Sequence, residues 1–159
     1  MQVGKIAMSK HPTIPVFAAA GVILLLVWVA VSGPAWADPD SGLDAAVNAA
    51  RAASTCAALQ PDPLVTRAAQ MATQETSDYI SHRSAVVPFT DPMPALKTIG
   101  YTGKKAVLMS GYGVNEQDAI HGLILEGHAA FPDCAFARYG VNAQQEDGFV
   151  LTSVVLAVP

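Results

Sequence analysis

Residues 119–141, AIHGLILEGHAAFPDCAFARYGV, hold His121, Glu126, His128, Asp133 and Cys134 within one short stretch. Imidazole, carboxylate and thiol groups are the side chains that ligate metals, exchange protons near neutral pH or attack carbonyls. A catalytic zinc site takes three protein ligands and keeps a fourth position open. Here His128 is one nitrogen donor, and Glu126 and Asp133 are nearby oxygen donors. The other histidine at a predicted helix end is His82. Each has a plain structural reading as well, because a donor side chain in the last turn of a helix satisfies carbonyls that have no intrahelical partner. His121 sits on a helix that Gly127 should end, and is expected at the surface or half-buried. A serine hydrolase has little support: no GxSxG occurs, and Ser81 adjoins His82 in sequence without any reason to be aligned with it.

Lys5 and Lys10 precede an uncharged run over 17–31, followed by Ala35-Trp36-Ala37. Basic, apolar and small-x-small segments in that order read as a signal peptide, 1–37, cleaved after Ala37. The alternative is a retained anchor, but the run is shorter than the roughly 20 apolar residues that span a bilayer. No membrane span is expected after cleavage. Of 159 residues, removing 37 leaves 122, one domain's length, with 7 basic against 13 acidic side chains and a net charge of −6. That balance argues against nucleic acid, which rewards clustered Lys and Arg. Cys56 and Cys134 are the only cysteines. In an exported chain they are expected as one disulfide, against two separate thiols or a metal pair. No CxxC or CxH spacing supports a metal pair, and oxidation would remove either thiol as a nucleophile.

These groups must be positioned by a small set of elements. Leu43, Ala46, Val47, Ala50, Ala53 and Ala57 recur at helical spacing, with Ser41 or Asp44 as cap. Pro61 and Pro63 break that helix, and a second runs over 63–80 with Leu64, Ala68, Met71, Ala72 and Tyr79 near one face. A proline-rich loop follows over 85–94, then a short helix over 94–99. KKAVLMS, 104–110, has the length and apolar density of a strand, ended by Gly111-Tyr112-Gly113. Asn115 caps the next helix, which carries Ala119, Ile120, Leu123 and Ile124 inward. Strands over 137–143 and 149–157 flank a polar loop and predict an antiparallel hairpin. Helices first and strands last, without βαβ alternation, give an α+β class with a small antiparallel sheet.

The ordered segments VNAARAA, PLVTRAAQMATQ, Ser81-His82, IGYTG, SGYG, EGH and RYGV resemble the CAP superfamily, the SCP-like domains of cysteine-rich secretory proteins, antigen 5 and pathogenesis-related protein 1, in its short bacterial form. The resemblance spans 43–157. It implies an α-β-α sandwich in which two histidines and two acidic residues face a central cleft that holds a divalent cation in some members. His82 matches the histidine after the second helix, and His128 that of the family's Gly-His motif. The family's strand glutamate falls on Val107, and its Trp and Ser-Pro are replaced by Gly122 and Leu125-Glu126. The resemblance therefore implies a degenerate cleft around His82, His128 and Glu126. A zinc ion on His82 and His128 is its metal reading, and no catalytic residue is assigned.

Family roles in lipid or sterol binding, host interaction and the cell envelope make a non-enzymatic binding module the expected function. Its partner would be a lipid, another apolar small molecule, or an envelope or host protein. The competing expectations are a metal-assisted hydrolase using His82 and His128, and an envelope scaffold without a working cleft. Tyr112, Phe131, Phe136, Tyr139 and Phe149 are candidates to line an apolar cleft, or equally to fill the core.

Overall fold

The computed structural model describes residues 39–159; the leader read over 1–37 lies outside them. The elements run α1 (Pro39–Ala52), β1 (Gln60–Pro61), α2 (Pro63–Ile80), α3 (Met93–Thr98), β2 (Lys105–Gly113), α4 (Glu116–Glu126), a 3-10 turn (Gly127–Ala129), β3 (Arg138–Glu146) and β4 (Phe149–Val158). The sheet order is β1-β3-β4-β2. Its two long pairings are antiparallel, but β1 runs parallel to β3, so the sheet is mixed and not wholly antiparallel. The sequence 60–63 reads only as a helix break. Yet Gln60 N–H donates to Ala137 O at 2.9 Å and Asp62 N–H to Tyr139 O at 3.0 Å, so the proline-rich passage also lies along an edge of the sheet.

β4 is paired on both sides, and all but its first and last residues are buried, which is why FVLTSVVLAV is almost continuously apolar. On one face Met109, Val154 and Leu156 pack with Leu43, Val47 and Leu123 from α1 and α4. On the other, Val155 and Ala157 meet Val65, Ala68 and Ala69 of α2 with Leu96 of α3. Each such fully buried Val or Leu contributes about 1.5–3 kcal/mol. The sheet thus lies between helices, the α+β sandwich expected.

Asp62 fixes the start of α2 by accepting from Leu64 N–H and Val65 N–H at 2.9 and 3.2 Å, with Pro63 at the first helical position. The predicted bounds hold, but the buried face is rotated. Val65, Ala68, Ala69, Ala72, Thr73 and Ser77 point inward, while Leu64 and Tyr79 are exposed. Thr73 donates to Ala69 O at 3.0 Å, and a hydroxyl satisfied by its own helix can be buried where a polar letter suggests solvent.

α1 starts earlier than either expected cap. Pro39 begins it, and the Asp40 carboxylate accepts the Ala143 N–H at 2.6 Å, docking the first turn on β3. Asp44 instead lies inside the helix and accepts from Tyr139 Oη–H at 2.6 Å. The helix closes at Ala52, leaving Ala53 and Ala57 outside it.

β2 runs on through Gly111 and Tyr112 and ends at Gly113. A β-carbon at Gly111 would stand 2.0 Å from Ala119 O, so the strand needs glycine there for the first turns of α4 to pack on it. The β3–β4 hairpin also closes more tightly than its polar sequence suggests. Glu146 pairs with Phe149, leaving only Asp147 and Gly148 in the turn, the latter at φ 88°.

Cys56 and Cys134 form a disulfide, 78 residues apart in sequence. Beside it lies Arg51, 3% exposed, whose guanidinium donates to the carbonyls of Ala57, Phe131, Asp133 and Phe136 at 2.7–3.0 Å. The passage from α4 to β3 is therefore held to the end of α1 twice, covalently and by a charged hydrogen-bond hub.

Candidate binding cleft

On the α2 face of the sheet, even-numbered residues of β2 stand beside odd-numbered residues of β4: Ser110 opposite Ser153 and Tyr112 opposite Leu151. The last turns of α2 stop short of covering them. Thr76, Ile80, Ser110, Gly111, Tyr112, Leu151, Thr152 and Ser153 consequently enclose a cavity of about 160 Å³. Tyr112, 59% exposed, lines the opening and stacks at a tilt on Phe149, 5.4 Å between ring centroids. Phe131, Phe136 and Tyr139 are core residues on the opposite side.

His82 lies beyond Ile80, at the C-terminal end of α2, where it borders a shallower opening with Tyr79, Ile80, Ser84 and Ala85. Its backbone has φ 56°. Arg83 N–H returns to Asp78 O at 2.7 Å and His82 N–H to Tyr79 O at 3.1 Å, the pair of reversed bonds that closes a helix through a left-handed residue. Glycine takes this position most easily; a residue with a β-carbon bears strain there.

Glu126 and His128 belong to the other side of β2. Glu126 Oε2 accepts the Ser110 N–H at 2.7 Å, covering a backbone donor on the strand's free edge. His128 Nδ1 is 3.0 Å from Leu125 O, the helix-end role described for it above. Ser110 is thus the residue common to the cleft and the Glu126 contact, and Ile80 is common to the cleft and the His82 opening. Asp133 lies elsewhere, bonded to Lys105 Nζ at 3.1 Å and to Ala135 N–H at 2.9 Å, which together hold its carboxyl below the usual aspartate range. His121 is exposed on α4.

The donor set does not fit a zinc ion. Among the described residues no group of three or more His, Cys, Asp or Glu side chains is close enough together to hold a metal, and Glu126 and one nitrogen of His128 already have backbone partners.

Val107, read as standing in place of the family's strand glutamate, faces the α1 and α4 side of the sheet. It packs with the α1 and α4 core, whereas the β2 side chains that reach the opening are Ser110 and Tyr112. Strand alternation decides this, because moving along by one residue reverses the face. Ser153 was not foreseen at all, since it lies in a run of apolar letters. A lone serine between Thr152 and Val154 in a strand buried on both faces is the signal that could have marked it.

The fold is CAP-like. The chain superposes on an outer surface protein from Borrelia burgdorferi with a TM-score of 0.60 at 12% identity, covering 76% of this chain and 92% of that one. It also superposes on a cysteine-rich secretory protein from Staphylococcus aureus, TM-score 0.58 at 15% identity, covering 79% of this chain but only 40% of that protein. No family model and no curated relative matches the sequence. The likeness is therefore one of architecture, helices packed on a small sheet.

Proposed function

We propose that this chain is an exported CAP-like binding module that works without catalysis, its cleft taking an apolar small molecule or the apolar segment of a lipid. The carrying observation is the cleft lining. Ile80, Tyr112 and Leu151 supply apolar wall, the remaining residues are glycine or hydroxyl-bearing, and none carries a charge. Small-molecule sites have this character, mostly apolar with a few placed polar groups. At about 160 Å³ the cavity is below the usual few hundred, so it suits one segment of a lipid rather than a whole one. The disulfide agrees with an oxidising compartment outside the cytoplasm, where an envelope lipid or a host or envelope protein is the natural partner. A metal-assisted hydrolase on His82 and His128 draws no comparable support, because among the described residues no group of three or more His, Cys, Asp or Glu side chains could hold a metal.

The test is mass spectrometry of organic extracts from the purified exported protein, with Ser110→Trp to fill the cleft from an exposed position. An amphiphile should accompany the parent and the His82→Ala/His128→Ala double variant, and be lost from Ser110→Trp. Extracts that are the same for the parent and Ser110→Trp would sink this reading.

A further inference from the structure

Across β3, β4 and β2 the α2 face carries one rung that is polar on all three strands, Asn142–Ser153–Ser110, and on β4 its neighbours are Leu151, Val155 and Ala157. Ser153 is the central member and is 2% exposed. Its hydroxyl makes no hydrogen bond to any described residue, although no buried side-chain atom fully closed off from solvent is left unpaired. The two facts are consistent only if this hydroxyl opens onto the cavity that Ser153 lines. The other buried hydroxyl of the lining differs: Thr152 reaches Ala119 O at 3.4 Å on the far face of the sheet. Thr76, partly buried, bonds Ala72 O at 2.8 Å within its own helix.

A hydroxyl taken out of water without a partner is costly, and it can both donate one hydrogen bond and accept others. The groups around it determine what that partner is. No Lys, Arg or His lines the cavity, so an anionic head would be desolvated without a counter-charge. A cationic head would find no acceptor carboxylate in the lining. What remains is a neutral hydroxyl, ester or amide oxygen joined to a short apolar body that lies along Ile80, Leu151 and Tyr112.

We infer that Ser153, with Ser110 at the cavity's exposed side, is the anchor for the neutral oxygen head of an amphiphile, and that the cleft discriminates against the corresponding anion. This rests on the cleft proposed above and adds the head-group rule and the residue that enforces it.

The experiment titrates the folded domain with 1-hexanol and with hexanoate at pH 7, matched in chain length, and follows backbone amide NMR shifts. Hexanol should move the Ser110, Gly111 and Ser153 amides, and hexanoate should bind at least about tenfold more weakly, the size of one good hydrogen bond or uncompensated charge. Ser153→Ala should fold normally, since it removes a hydroxyl that has no protein partner, and should weaken hexanol binding about tenfold. Equal shifts from both probes, or unchanged hexanol affinity in Ser153→Ala, would overturn the head-group rule while leaving the cleft in place. No shift at these amides from either probe would overturn the cleft reading itself.

Discussion

His82 combines exposure, a position beside the cleft and a left-handed backbone. Strain of this kind is usually retained where function requires the side chain. Substituting His82→Gly relieves the β-carbon clash and is expected to raise unfolding free energy by about 1 kcal/mol, measured by urea titration. A neutral or destabilising result would mean that the imidazole makes compensating contacts. None of this was readable from Ser81-His82-Arg83, where histidine at a helix end suggests only a capping cation. The sequence identified the helix end and the residue, because those follow from local pattern. It could not reveal the sign of φ, which depends on how Arg83 and Ser84 fold back to Asp78. Val107 carries a related lesson: a motif alignment places a residue on a strand, while the face it takes follows from the strand's pairing.

At the scale of elements, α2 was legible to its ends because its signals are local, a proline break followed by helical spacing, and the Asp62 cap was added by the structure. Its buried face was not, because small hydroxyl residues can be buried by bonding their own helix. β2 carries the other lesson. It is an edge strand, and the free edge of a strand invites pairing with other chains unless something covers it. Glu126 supplies part of that cover by bonding Ser110 N–H. Glu126→Ala should lower stability by about 1 kcal/mol and speed hydrogen exchange at the Ser110 amide, with little change at amides bonded to β4. Uniform acceleration along β2 would instead mean that the carboxylate supports the whole strand.

The α4–β3 passage is secured by two devices, of which only one was visible in the sequence. The disulfide follows from the expected export and the cysteine count, whereas nothing in the sequence around Arg51 signals its four carbonyl partners. Opening a 78-residue separation costs about 4 kcal/mol in the chain-entropy model, but Arg51 still holds the segment when the bridge is gone. Cys56→Ser/Cys134→Ser should therefore stay folded with stability reduced by roughly 2–4 kcal/mol. Arg51→Ala leaves buried carbonyls without their donor and should cost about 3 kcal/mol or more even with the disulfide intact. Thermal unfolding of both variants compares the two devices directly, and a nearly unchanged melting temperature for Arg51→Ala would show that water replaces the guanidinium.

For the molecule as a whole, the clearest electrostatic asymmetry is in its carboxylates. Glu146 accepts from Ser77 Oγ–H, and from Gln144 Nε2–H at 2.7 Å, and Arg83 lies 3.4 Å away, so its carboxyl is held below the ordinary glutamate value of 4.5. Asp133 is held below its ordinary 3.8 by the Ala135 N–H and Lys105. A folded-state value below the unfolded one means that the folded protein binds protons less readily, so these groups stabilise it above the unfolded values and stop doing so as pH falls through the folded ones. The melting temperature should thus be flat with respect to these two groups from pH 7 to about 5, then fall progressively below the ordinary carboxylate range. Glu146→Gln and Asp133→Asn should each flatten that acid limb and lower the neutral-pH plateau, with Glu146→Gln also loosening the C-terminal end of α2, since Ser77 and Arg83 share its carboxylate. Because that end of α2 carries Ile80 and closes one side of the cleft, hexanol affinity should decline over the same acid range in the parent but not in Glu146→Gln. An affinity that stays constant while the melting temperature falls would separate the cleft from this carboxylate cluster.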